Sequence, residues 1–443
     1  MRLALGSLAI VGGFFGVAHG CSSPSSGLAS ESQTDADTNA EAAVDANGAD
    51  APHCAIPPRP SGVPAGWELY ADYDPCCLLY MPTTAAELPP PPQWTTCNAV
   101  WGPATGSCRQ INQSNAGAPE FGLSVRDGVV SMLTDETING FDVHVITDAD
   151  GPVHQAILET DHSSACGPVA QDMRDGKYVY AIYPPDSFNG GGFIAGDVNE
   201  FKPSFIHHFN DSITHGVAVG QLGVLDVDQT DALNLYPWTQ IPKTLVNPQD
   251  VGLQNSFPFF ASNAVFWAAT NATYLRVDDF TDAGGPSDLL SFGADWSRGA
   301  GDLGSDGKDM VWVEANGRTN PSADFDAGSY MTASFTTIGD QIVKRRLRSE
   351  NPKGLSALPT TVGCGYAARS TNDAGGHING IRIVRIADGV SWQLVSDTAT
   401  PWIWVHALAL TCSELFASVS TGPNTRTIAR VQISSLGAGI AAD

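Results

Sequence analysis

A recurrence restricts the fold of this chain more than any other feature. Short runs rich in β-branched and aromatic residues follow one another from about residue 118 to the C-terminus. They include 129–133, 141–146, 177–183, 264–270, 310–315, 381–386 and 428–433, each bounded by Gly, Asp or Asn. Runs of that length and content predict strands. No amphipathic helical stretch competes with them, and no apolar heptad is sustained. The turns recur as well. Asp127-Gly128 stands just before a run, Asp175-Gly176 does so 48 residues later, and Asp306-Gly307 does so a third time. Looser marks are Gly223 before Val224-Leu225, Ser262-Asn263 before Ala264, Gly363 before Cys364-Gly365-Tyr366, and Cys412-Ser413-Glu414 before Leu415-Phe416.

Seven marks at intervals of roughly 40 to 57 residues divide the chain into repeats of about four short strands. A sheet that small cannot bury its faces alone, whereas radial stacking buries them and protects the edges. The expected class is all-β, a seven-bladed β-propeller. A pair of β-sandwiches is the alternative. The strings MRDGKYVYAIY (173–183) and GSDGKDMVWVE (304–314) resemble the turns of Tol-type and WD-like propeller blades, with Arg174 and Ser305 where those blades carry Pro. In such a turn Gly supplies the positive φ of a tight hairpin. The last repeat, about 402–436, holds three clear strands, 404–410, 415–420 and 426–433. A strand from within 67–82 is expected to complete it and close the ring. The repeat also predicts that Cys364 and Cys412 lie in neighbouring blades, within reach of a disulfide.

The first twenty residues read as an export signal. Arg2 is their only charge, and the mostly apolar run 3–18 is too short to span a membrane. Ala18-His19-Gly20 then precedes Cys21, an arrangement that resembles the lipobox of bacterial lipoproteins. The resemblance implies acylation of Cys21 and an address in the bacterial cell envelope. Ser22 in place of a retaining Asp points to the outer membrane or cell surface. Cleavage before a free Cys21 is the alternative. Residues 21–52 form an acidic tether rich in Ser, Ala and Asp, without Lys, Arg or aromatic residues. Residues 53–117 form a Cys- and Pro-rich strap, and residues 118–443 carry the repeats. The whole chain has 22 Lys+Arg against 47 Asp+Glu, a net charge of −25. Such a balance argues against nucleic acid, which needs a basic face. Membrane attachment is therefore expected through the lipid alone.

There are nine cysteines. If Cys21 carries lipid, eight remain for four disulfides: Cys54, Cys76, Cys77, Cys97, Cys108, Cys166, Cys364 and Cys412. Cys97 and Cys108 enclose a short loop and make a plausible pair, while adjacent Cys76 and Cys77 are expected to pair elsewhere. No Cys-x-x-Cys is present, so no metal site is expected from them.

Two histidines hold matching places. His215 precedes Gly216-Val217-Ala218-Val219, and His406 precedes Ala407-Leu408-Ala409-Leu410, where a channel-mouth loop would lead into an innermost strand. They are the candidate ligand-binding residues, set against a structural hydrogen-bonding role. His207-His208 would face opposite ways on a strand. Asp226-Val-Asp228-Gln-Thr-Asp231 and Asp148-Ala-Asp150-Gly151 are oxygen-rich turns of the kind calcium uses, but neither completes a twelve-residue calcium loop. Calcium aside, no cofactor is expected. Trp402 and Trp404 offer an aromatic platform for sugar or simple blade packing. The chain has no G-x-S-x-G, H-E-x-x-H or P-loop, so catalytic residues are not identified. The functional expectation is an extracytoplasmic binding or scaffold module whose partner is an envelope protein or a glycan. An extracellular polysaccharide lyase or hydrolase using the channel mouth is the alternative.

Overall fold

The computed structural model describes residues 59–74, 77–98, 101, 107–113, 123–138, 141–159, 168–182, 192–208, 216–228, 232–239, 242–246, 255–261, 264–269, 274–278, 287–291, 304–315, 328–334, 345–350, 360–372, 378–396, 402, 404–422 and 425–442. The fold is all-β. Among the described residues there is no α-helix, and the 3-10 turns are Ala85–Glu87 and Ile433–Leu436.

Among the described residues the strands pair into seven separate antiparallel sheets. In sheet 1 the order is Trp67–Asp74, Cys77–Pro82, Val153–Glu159, Phe141–Asp148, Val129–Ile138 and Leu123–Arg126. Sheets 2 to 6 each take four consecutive strands, beginning with Pro168–Arg174, Gly216–Gly220, Asn255–Ala261, Gly304–Ser305 and Thr360–Gly363. Sheet 7 runs Trp404–Leu410, Glu414–Gly422, Thr425–Gln432, Cys108–Gln113 and Thr95–Thr96.

Counting sheet 1 from Leu123–Arg126, six of the seven sequence marks fall at the turn between the first and second strands of a sheet, and the seventh, Ser262-Asn263, lies outside the described residues. The reason is backbone geometry. Asp127 and Gly128 have φ of 51° and 85°, Asp175 and Gly176 have 53° and 74°, and Cys364 and Gly365 have 52° and 76°. Two successive positive φ values make the hairpin turn whose twist matches the flanking strands, and Gly takes the second position at no steric cost.

The sheets stack around a ring. The first strand of sheet 1 lies against those of sheets 2 and 7, and further first-strand contacts join sheet 2 to 3, 3 to 4, 5 to 6 and 6 to 7. Apolar clusters fill the junctions. Leu79, Ile146 and Ile157 of sheet 1 pack on Tyr178, Tyr180 and Ile194 of sheet 2. Val179 and Phe193 then meet Val217, Val219 and Tyr236 of sheet 3. Phe416, Ala409 and Ile428 of sheet 7 join Val125, Val130 and Val145 of sheet 1, so that the last sheet packs on the first. This stacking is the physical answer to strands that are apolar on both faces.

Closure differs from the sequence expectation. Strands 67–74 and 77–82 pair with each other and with Val153–Glu159 of sheet 1, through Leu79 opposite Glu159 and Tyr80 opposite Leu158. The strand that completes sheet 7 is Cys108–Gln113, from Arg426 opposite Gln113 to Val431 opposite Cys108. Its sequence, CRQINQ, is mostly polar. The apolar run at 78–81 therefore drew the eye, but its Leu79 and Met81 are wanted between sheets 1 and 2.

Among the described residues two disulfides are present. Cys97 joins Cys108, fastening the closing strand to the segment before it. Cys364 joins Cys412, linking the first turns of sheets 6 and 7. Cys54, Cys76 and Cys166 lie outside the described residues, as does the side chain of Cys77. On the outer strand of sheet 6, Ser391 and Ile440 exchange both backbone hydrogen bonds, at 2.9 and 2.7 Å. The C-terminal segment thus covers an edge that would otherwise offer unpaired backbone groups.

Candidate functional site

The two ends of the ring differ in chemistry. At the end holding the first turns, polar side chains tie neighbouring sheets together. Arg126 Nε donates to the Met173 carbonyl at 3.4 Å, the Val219 amide donates to Asp172 Oδ2 at 3.0 Å, and Gln221 Nε2 donates to the Asp175 carbonyl at 3.2 Å. Arg174 reaches from sheet 2 to donate to the Phe260 carbonyl of sheet 4, and Gly307 of sheet 5 packs against both partners. Burial lowers the Arg174 pKa, while Asp172, Asp175 and Asp306 act the other way and favour its charge. The groups at this end are occupied in holding the ring.

The opposite end, where the first strands begin, we call the mouth. Sheet 7 presents a cross-strand row there: Trp404 opposite Ser420, Ser420 opposite Arg426, and Arg426 opposite Gln113 of the closing strand. Residues paired directly across antiparallel strands share a face. Trp404 is 60% exposed, while Ser420 and Arg426 are buried.

His406 joins this row through an irregularity. Val405 pairs with Val419 and Ala407 with Ser418, so His406 is an extra residue in its strand. A bulge of this kind re-aims a side chain. His406 Nε2 lies 2.6 Å from Ser420 Oγ. Its pKa falls to about 3, first because the ring is buried and then because Arg426 repels its charged form. The imidazole is therefore neutral at physiological pH and serves as a hydrogen-bonding group. A base that weak is a poor match to acid–base catalysis near neutrality. His215, its partner in the sequence, lies outside the described residues.

Other candidates resolve into packing. Trp402 is buried with its ring centroid 5.3 Å from that of Trp101, so it does not share a platform with exposed Trp404. His207 and His208 stand on the fourth strand of sheet 2, opposite Phe193 and Gly192. The Asp148–Asp150 turn already has cationic and hydrogen-bonding partners. His154 Nε2 is 2.8 Å from Asp148 Oδ1, and Arg430 Nη2 is 2.7 Å from Asp150 Oδ1. Among the described residues, no three His, Cys, Asp or Glu side chains converge as a metal site.

Sequence reading missed two groups. Arg426 lay inside an ordinary strand, and only pairing with Ser420 and Gln113 sets it beside His406. His144 was hidden in an apolar run. It is buried between sheets 1 and 2, 2.8 Å from Ser131 Oγ and 3.3 Å from Gln171 Oε1, with its ring 4.3 Å from that of Tyr180. Burial lowers its pKa to about 4, against the raising effect of Gln171.

Consecutive antiparallel sheets packed face to face, with the last packed on the first, define a β-propeller-like protein. No family model matches this chain, and no curated protein matches it. Solved structures with similar folds include virginiamycin B lyase from Staphylococcus aureus, at 14% identity and a TM-score of 0.46 over 73% of this chain and 99% of that one. The RRP9 WD40 repeats align at 11% identity and a TM-score of 0.45, over 77% and 100%. BamB from Moraxella catarrhalis aligns at 12% identity and a TM-score of 0.35, over 71% and 83%. These are likenesses of fold at low identity, and they transfer no residue role to this chain.

Proposed function

We propose that this protein is a lipid-anchored, seven-bladed propeller of the bacterial cell envelope that binds a glycan or an envelope protein at its mouth. The observation that carries the reading is the row of exposed Trp404, neutral His406 and Arg426 at that end. An exposed indole supplies a flat apolar face for a sugar ring or a partner side chain, while buried Arg426 behind it helps to keep His406 neutral. The weak basicity of His406 favours binding over hydrolysis or elimination.

The address rests on residues. The signal 1–20, Cys21 as the acylated terminus and the acidic tether 21–52 would hold the repeats of 118–443 off the surface, behind the strap 53–117. The two disulfides suit an oxidising compartment.

The test is titration of the full-length protein with purified envelope polysaccharides and outer-membrane proteins, read by tryptophan fluorescence and calorimetry. At least one should bind, and Trp404→Ala should weaken that binding by about tenfold or more. Equal affinity in wild type and variant would remove the mouth from the proposal, and appearance of cleaved glycan would replace binding with catalysis. The anchor is tested separately, by intact mass of protein extracted from its native membrane. A mass without acyl chains on Cys21 would overturn that part alone.

A further inference from the structure

We infer that the Cys364–Cys412 bond is a thiol–disulfide exchange site, open to an external dithiol and reversible in the folded protein. Both of its residues are exposed, in the first turns of sheets 6 and 7. The other bond, Cys97–Cys108, is enclosed. Its two residues are 7% and 0% exposed, and they pack in one cluster with Trp101, Leu415 and Val431. Exchange needs a thiolate to reach a sulfur, so access separates the two bonds. The backbone adds a second observation. Cys364 has φ of 52°, in the turn position that Asp127 and Asp175 fill in sheets 1 and 2. Asp and Asn tolerate that conformation because a short polar side chain bonds locally, and Cys has no such means. A residue kept there against backbone preference is held for what its side chain does, and here that is the bond to sheet 7.

Opening the bond leaves its surroundings standing. In sheet 6 the Ile386 amide donates to the Gly365 carbonyl at 2.8 Å. In sheet 7 the Thr411 amide donates to the Glu414 carbonyl at 2.9 Å, and the Glu414 amide donates to Thr411 Oγ1 at 2.9 Å. The Ile433 amide donates to the Ser413 carbonyl at 2.8 Å. Each turn is thus fixed within its own sheet. Between the sheets, Ala368 and Ile383 pack with Leu408, Leu410 and Leu415, a contact that does not pass through the sulfurs. The step balances as an exchange. A thiolate of the dithiol attacks one sulfur, the S–S bond breaks, and the departing sulfur takes the electron pair and then a proton. The second thiol of the dithiol, as its thiolate, attacks its own partner sulfur in the mixed disulfide and releases the other cysteine. Two electrons and two protons pass to Cys364 and Cys412, and the dithiol ends as a disulfide. Run in reverse, a disulfide oxidant remakes the bond.

The test uses oxidised full-length protein near neutral pH, without denaturant. Dithiothreitol is the dithiol. Free thiols are trapped with iodoacetamide at intervals, and each cysteine is read by peptide mass mapping. Cys364 and Cys412 should appear as thiols about tenfold faster, or more, than Cys97 and Cys108, while circular dichroism stays native. Replacing dithiothreitol with its oxidised form should restore the same bond. Equal rates for the two bonds, or faster opening of Cys97–Cys108, would overturn the site. So would thiols that appear only as native dichroism is lost, or a failure of Cys364 and Cys412 to rejoin.

Discussion

Gly176 and Gly307 each follow an Asp in a first turn, yet substitution should affect them unequally. Both have positive φ, 74° and 83°. A Cβ added at Gly176 meets nothing within 4 Å, so Gly176→Ala bears only the backbone cost of that conformation, about 1–2 kcal/mol. At Gly307 the new atom would lie 2.8 Å from the Phe260 carbonyl and close to the Arg174 guanidinium. Gly307→Ala should therefore destabilise the protein more than Gly176→Ala in urea titrations, and equal values would show that the Arg174 tie yields freely. His144 carries a second prediction at this scale. Its pKa is about 4 when folded, against 6.5 for the free side chain. The unfolded chain thus binds a proton that the folded chain refuses. Stability from this group is complete above about pH 6.5 and declines as the pH falls toward 4, by about 3 kcal/mol in all. His144→Gln should flatten that decline in denaturation midpoints measured from pH 7.5 to 4.

Among the elements, the closing strand Cys108–Gln113 is held on both sides: Gln110 pairs with Ala429 of the third strand and with Thr95. Without it, Thr425–Gln432 becomes an exposed edge of paired apolar residues. Gln110→Pro removes a ladder hydrogen bond and should lower the Tm sharply and promote self-association, whereas Gln110→Thr should be tolerated. Light scattering on the two variants checks this, and a monodisperse proline variant would show that the ring closes by side-chain packing alone. The same strand explains a limit of sequence reading. Its alternation of buried Cys108 and Gln110 with exposed Arg109 is too polar to stand out. What selects it is the vacant edge of sheet 7, a property of the ring rather than of its own residues.

For the whole molecule, the Cys364–Cys412 bond spans 48 residues of sequence and joins neighbouring sheets at the turn end. Loop closure of that length contributes about 4 kcal/mol by restricting the unfolded chain. The double substitution Cys364→Ser with Cys412→Ser should lose roughly that amount by chemical denaturation, and dithiothreitol should then destabilise the variant less than wild type. An unchanged midpoint would mean that the unfolded chain is already restrained without the bond.

The chain's own residues determined the class of fold. Short runs rich in β-branched and aromatic residues form strands, pairs such as Asp175-Gly176 form tight turns, and their regular spacing favours small sheets that stack for mutual burial. Those are local rules, and they read directly from sequence. Which strand closes the ring, which of two tryptophans faces water and which histidine is re-aimed by a bulge were decided only in three dimensions. Trp402 and Trp404 differ by two positions in one short segment, yet one packs on Trp101 and the other stands at the mouth. Pattern alone cannot separate them, because the partner that buries Trp402 comes from some three hundred residues earlier in the chain. The mouth row is likewise a product of register. Trp404, Ser420 and Arg426 are aligned by hydrogen bonds between strands, and a shift of one residue would turn each of them to the opposite face.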